Sequence, residues 1–301
     1  MTQKTLSVPG SELNENEQIL DIETTGRYWR TSRLTSVALI APGSSAGTFT
    51  ETVLAASNDE EEYRLLNDLR SLVENVRTLV TYNGKAFDIP YLNAKYKAYG
   101  LVNPLAGTGI EDLFLSLSPI RTLLGLPSRR LRDLASPLEP VGGTDAEQTL
   151  RVLTYRHFLS LLDGRFRLLQ AEREGDLLQY RLGLNGSFAG NASIHDAPFH
   201  LTCHGTEAGL GVHVSGGQLR VYHTDTANYR YLPEEGYAVH VSVARYVDKS
   251  RKEKAVRTNC FHLVPYSDAF LTDEKQINSY LRSVLSYLRS AAHSRAPSST
   301  G

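Results

Sequence analysis

The chain of 301 residues carries only two cysteines, Cys203 and Cys260, and no C-x-x-C spacing. That excludes a disulfide scaffold and argues against a zinc knuckle; a reduced, cytoplasmic, thiol-bearing protein is the expectation. Long hydrophobic runs are also missing. None approaches the roughly eighteen residues of a membrane-spanning helix, and the opening Met1-Thr2-Gln3-Lys4 lacks the apolar core of a signal peptide. Charge of one sign is absent too: 32 Lys and Arg balance 33 Asp and Glu. Bulk electrostatics therefore does not announce a nucleic-acid partner, and any basic surface must be local. The chain also contains no Gly-rich phosphate loop, no Ser/His/Asp order and no H-E-x-x-H pattern.

What is present is the composition of an ordinary globular protein, 41% hydrophobic and 22% charged, long enough for one large domain or two modest ones. Two stretches stand out. Ile19-Leu20-Asp21-Ile22-Glu23-Thr24-Thr25-Gly26 is an apolar, β-branched run ending in two acids at i, i+2. On a strand that spacing puts both carboxylates on one face. Two like charges side by side are costly to bury unless a cation joins them, and Mg²⁺ or Mn²⁺ suits carboxylate oxygens. An edge strand with solvated acids explains this stretch equally well.

The second stretch, Thr78-Leu79-Val80-Thr81-Tyr82 followed by Asn83-Gly84-Lys85-Ala86-Phe87-Asp88, reads as a strand, a turn and an acid leading through Pro90 into a helix. This is where open α/β sheets place their ligands. In order, D-I-E-T-T-G and N-G-K-A-F-D resemble the DnaQ-like (DEDD) exonucleases of the ribonuclease H-like superfamily, and within it the YprB-type domain.

The resemblance implies an α/β fold: a ribonuclease H-like mixed sheet flanked by helices, followed by a β-rich C-terminal extension with a terminal helix. It implies a 3′–5′ exonuclease acting on single-stranded DNA or RNA ends, with four carboxylates holding two divalent ions, or one here. Asp21 would bridge the ions, Glu23 would complete one and orient the water, and Asp88 would serve the other. Thr24, Asn83 and Phe87 would contact substrate or shape its site. The family's third motif, a His or Tyr followed by an Asp, departs from pattern. Laid on Tyr155 to Asp163, it puts His157 where the fourth carboxylate belongs. Three readings stay open: His157 as a ligand replacing that acid; His157 as general base with Asp163 as a displaced ligand; or a site with one metal or none and catalysis lost. The competing class is a nuclease fold that only binds nucleic acid or a protein.

Along the chain, residues 1–16 are polar and expected to fray. Strands are expected at 18–22, 34–40, 48–53 and 78–82, with helices from Asp59 and over 90–99. Asp112 is a supporting acid of the site or, more simply, a helix N-terminal acid. Arg129, Arg130 and Arg132 form a short basic helix able to hold a phosphate backbone. Thr144-Asp145-Ala146-Glu147 is a capping box opening one long helix on which Leu150, Leu153, His157 and Leu161 share a face. The boundaries expected are 1–164 for the nuclease domain, 165–292 for the extension and 293–301 for a disordered tail. Gly211–Val214 and Gln218–Tyr222 flank Ser215-Gly216-Gly217 as a hairpin, and 272–291 forms the last helix. In the extension Arg251, Lys252 and Lys254 lie in a basic cluster that would track nucleic acid, against the alternative of a solvated charged face.

Overall fold

The computed structural model describes residues 1–45, 47–138, 142–214 and 216–294. The chain forms two compact units: residues 1–121 with 126–155, and 122–125 with 156–301.

The first unit is built on a six-stranded mixed sheet. Its strands are β1 (Thr2–Ser7), β2 (Glu17–Thr24), β3 (Leu34–Pro42), β4 (Thr48–Ala55), β5 (Thr78–Thr81) and β6 (Gly109–Asp112), in the order β1-β4-β3-β2-β5-β6. β2, β3 and β4 form an antiparallel meander, while β5 runs parallel to β2 and β6 parallel to β5. Helix α1 (Asp59–Val73) starts from Asn58, whose side chain accepts the Glu61 N–H, with four acids in its first turn where the helix dipole favours them. Leu65, Leu66, Leu69 and Val73 of α1 join Leu20 and Ile22 of β2 and Tyr91, Leu92 and Tyr96 of α2 (Asp88–Ala98) in one buried core. Because strand side chains alternate, that core takes Leu20 and Ile22 and leaves Asp21 and Glu23 on the opposite face.

Residues 1–16 do not fray as expected. β1 pairs antiparallel with β4 from Thr2↔Val53 to Ser7↔Thr48. Lys4 fixes it by reaching Glu51 at 2.7 Å and Glu147 at 2.5 Å, and the Gln3 amide donates to Thr52 Oγ1 at 3.1 Å. The unit continues through α3 (Leu113–Ser116), the start of α4 (Ser118–Leu123), α5 (Leu131–Ala135) and α6 (Asp145–Val152). The expected single long helix is two: α6 stops and α7 (Tyr155–Leu162) begins anew. Between them the amides of Leu153 and Thr154 bond three residues back, to Leu150 and Arg151, tightening the last turn. α6 packs on β2 and β3.

The second unit is antiparallel throughout. β7 (Arg167–Glu174), β8 (Leu177–Asp196) and β9 (Phe199–His213) form one sheet; β10 (Gln218–Tyr222) pairs with β14 (Phe261–Pro265); β11 (Tyr229–Leu232) lies between β12 (Tyr237–His240) and β13 (Glu253–Lys254). The expected hairpin is corrected: β10 takes β14 as its partner, not β9, and Ser215 of its turn lies outside the described residues. A single turn, α8 (Val241–Ala244), interrupts the β pattern, and α9 (Glu274–Ser294) closes the chain with Ile277, Leu281, Val284, Leu285 and Leu288 buried. Residues 295–301 of the expected tail lie outside the described residues. Both cysteines are free and buried. No described helix is long and apolar enough to cross a membrane.

Candidate active site

β2 ends at the site. Opposite Asp21 stands Ala38 of β3, and the ladder shifts register between Glu23 and Thr24, an irregularity of the kind that re-aims side chains at sheet ends. Asp88, the first residue of α2, is buried, and its Oδ1 accepts the backbone N–H of Ile22 at 3.2 Å. Its carboxylate thus sits against the β2 backbone between the two strand acids.

The turn that delivers Asp88 is held from below. Asn83 adopts a left-handed φ of 64°, which Asn tolerates better than most residues. Asp112 accepts three backbone amides, from Asn83 at 2.8 Å, Lys85 at 3.1 Å and Phe114 at 3.0 Å. Asp112 is therefore the N-cap of α3 and the clamp of this turn at once. Gly84 is required: a Cβ there would lie 2.5 Å from Thr81 Cβ. Phe87 packs partly buried against the core, its ring 5.6 Å from that of Tyr91, and the Thr24 hydroxyl donates to the Gly26 carbonyl at 2.9 Å.

The electrostatics of the acids are unrelieved. Burial pushes the Asp21 carboxyl up from 3.8 to about 8, and the neighbouring charges of Asp88, Asp145 and Glu23 push the same way. Burial likewise raises Asp88 to about 6; hydrogen bonds from its own amide and that of Ile22 oppose this, and Asp112 and Glu23 add to it. No cation stands among the groups that shift either residue. Among the described residues no three His, Cys, Asp or Glu side chains converge closely enough to form a finished metal cage. The donor set is nevertheless hard oxygen with uncompensated negative charge, which fits a divalent ion.

Asp145 is the acid that sequence reasoning did not connect with Asp21. The capping box is complete without it: Thr144 Oγ1 accepts the Glu147 amide and Glu147 accepts the Thr144 amide, both at 3.2 Å. Asp145 is a surplus acid at the first position of a helix that packs on β2, and Asp21 feels its charge. That surplus was the available signal.

His157 belongs to the second unit. It is 8% exposed, and its Nδ1 lies 2.7 Å from the Asn185 carbonyl oxygen of β8. The next residue, Gly186, has φ 114° and approaches so closely that a Cβ there would lie 2.2 Å from the imidazole. Asp163 pairs with Arg289. In the first unit Arg129 lies 4.3 Å over the Phe114 ring and its carbonyl accepts the Tyr82 hydroxyl, while Arg130 is exposed ahead of α5. Arg251 bonds Glu234 and Glu235. Lys252 closes α8 by donating to the carbonyls of Ala244 at 2.6 Å and Val247 at 2.7 Å. Lys254, on β13, is exposed.

A family model described as RNase_H superfamily matches residues 18–167, from β2 to the start of β7. No curated protein matches the chain. With that match, the mixed sheet and its flanking helices are a ribonuclease H-like fold, followed by a β-rich region and a terminal helix. The match points to nuclease activity on nucleic acid, in a fold that typically uses divalent metal ions.

Proposed function

We propose that the chain is a metal-dependent phosphodiesterase that trims single-stranded DNA or RNA from the 3′ end, a DnaQ-like nuclease of the YprB type working in a reducing, cytoplasmic compartment. The observation that supports this most is the crowding of acids at Asp21: Asp88 accepts the amide of the next residue, Ile22, at 3.2 Å, and the charges of Asp88, Asp145 and Glu23 all bear on Asp21 with no cation among the groups that shift it. In this reading those four carboxylates hold Mg²⁺ or Mn²⁺. When bound, such ions neutralise charge on the phosphodiester and activate water for its hydrolysis. The chain's own residues set the geometry: β2 offers two acids on one face, the Ile22 amide aims the third, and Asp112 fixes the turn that carries it. Glu23, the most exposed of the strand acids, orients the water. Thr24, Asn83 and Phe87 shape the place of the strand end, and Arg129 and Arg130 are candidates for its phosphates.

Asp145 takes the fourth place in this reading rather than His157. It is within electrostatic reach of Asp21, whereas the His157 ring is engaged with the β8 backbone. The test is degradation of labelled DNA and RNA oligonucleotides with Mn²⁺ or Mg²⁺. Asp21→Ala should abolish it and Asp145→Asn should lower it by at least about 100-fold. No degradation above a buffer control, with either metal and either nucleic acid, sinks the proposal. Because no finished cage is formed among the described residues, a second reading keeps the fold and drops the chemistry: tight oligonucleotide binding without turnover would select it.

A further inference from the structure

A cavity of about 450 Å³ opens in the first unit beyond the end of β2, walled by Thr25, Trp29, Arg30, Arg33, Lys95 and Tyr99, with the acids Asp59 and Glu62 also in its lining. One ion pair in it is self-contained. Lys95 and Glu62 are buried and 2.9 Å apart; Lys95 also donates to the Ser32 carbonyl at 2.7 Å, and Glu62 accepts the Leu34 amide and the Tyr99 hydroxyl, each at 2.7 Å. The two arginines are not satisfied in this way. Arg30 is exposed, lies 5.0 Å over the Trp29 ring and has no carboxylate partner among the described residues. Arg33 makes only a 3.8 Å ion contact with Asp59, and its Nε is buried with no hydrogen-bond partner. A buried donor with no partner in the chain is costly and takes one from outside it. Two guanidinium groups with open donors beside an indole and a phenol ring are the chemistry of a phosphate joined to a planar base.

The cavity's place relative to the acids follows from α2. Asp88, Tyr91, Lys95 and Tyr99 recur at i, i+3, i+7 and i+11, one face of the helix extended to its C-cap. Lys95 is seven residues beyond Asp88, about 10 Å at 1.5 Å per residue. The loop that carries Trp29 is pinned shut at its base, where the Thr25 amide donates to the Arg33 carbonyl and the Arg33 amide to Thr25 Oγ1, both at 2.9 Å. Tyr91 holds its far side through a 3.0 Å hydrogen bond with Ser32. The cavity is a preformed subsite, distinct from the acids and reached along the same helix face.

We propose that this cavity binds one nucleotide of a nucleic-acid strand, its phosphate on Arg33 and Arg30 and its base against Trp29, while a different phosphodiester meets the acids. The proposal rests on the nucleic-acid reading above. Trp29 is the only tryptophan of the chain, so its fluorescence reports on this cavity directly. The full-length protein is titrated with thymidine 5′-monophosphate, with an oligothymidylate and with inorganic phosphate alone, in chelator so that nothing is cut. Saturable quenching by the mononucleotide and the oligonucleotide is expected, weakened at least about tenfold by Arg33→Gln and by Arg30→Ala. Arg30→Ala removes an exposed side chain whose one ring contact is with Trp29, so it resets the starting emission without opening the core, and the change in affinity is read from the titration midpoint. Asp21→Asn should leave the quenching intact.

No saturable change in Trp29 emission overturns the proposal, as does quenching that both arginine variants leave unchanged. An equal response to inorganic phosphate reduces the cavity to a simple anion site and overturns it too. Quenching without hydrolysis by the metal-loaded protein would leave the subsite standing and the nuclease reading fallen; hydrolysis without quenching would do the reverse.

Discussion

Asp21→Asn should make the metal-free first unit more stable at neutral pH, against the usual effect of deleting an active acid's hydrogen bonds. The folded chain holds the Asp21 proton up to about pH 8, whereas an unfolded aspartate releases it near 3.8. Stability contributed by the protonated group is complete below 3.8 and is lost progressively as pH rises toward 8, because the unfolded state binds fewer protons through that window. At neutrality the pH lies roughly three units above the ordinary value, and each unit is worth ~1.4 kcal/mol. Coupling to Asp88 and local relaxation discount that ceiling to about 2–3 kcal/mol. The near-isosteric, neutral asparagine removes the penalty. Trp29 lies in the first unit, so urea denaturation followed by its emission reads that unit alone. In chelator, wild-type stability should fall between pH 5 and 8 while the variant's stays flat. Added Mn²⁺ should restore the wild type, by about 2.7 kcal/mol at a hundredfold excess over Kd, and leave the variant unmoved. A wild type whose stability is level or rising with pH, or a variant no more stable at pH 8, would refute the electrostatic argument for a cation site.

Other outcomes follow from particular contacts. Gly84→Ala forces a Cβ into Thr81 and should cost about 1–3 kcal/mol and most of the metal-dependent stabilisation, read in the same denaturation assay. His157→Ala should leave the Mn²⁺ response of Trp29 emission unchanged while making β8 amides exchange hydrogen faster, since His157 contacts the Asn185 backbone. Lys95→Met strands a buried Glu62 and should destabilise the first unit by about 3–5 kcal/mol, seen as a lower denaturation midpoint. Lys252→Met should cost about 1 kcal/mol by uncapping α8 and leave the salt dependence of oligonucleotide binding unaltered.

The candidate site's local geometry was legible wherever chemistry and local pattern coincide. Asp21 and Glu23 sit on a β-branched run whose period of two fixes their common face, and Asn83-Gly84 with Asp88 marks a strand-to-helix turn; β2, β5 and α2 form around them. Asp145 was hidden because a capping box explains its neighbours fully, and nothing local says which strand a helix will lie on. β1 was hidden for a related reason. An edge strand that packs little apolar surface, exposed at five of its six positions, has no hydrophobic alternation to betray it. The break between α6 and α7 likewise depends on tertiary packing, since Val152-Leu153-Thr154 continues the apolar periodicity without a glycine or proline.

Lys4 ties β1 to Glu147, the residue that closes the cap of α6, and to Glu51 on β4. The first strand of the chain is therefore a brace for the helix that brings Asp145 toward Asp21. A fragment cut to the matched residues 18–167 would lose that brace, bare the edge of β4 to unwanted pairing and leave Glu51 buried without its cation. A fragment so trimmed that cuts nothing would speak to the trimming, not to the acids; the opening seven residues belong in any protein made for these experiments.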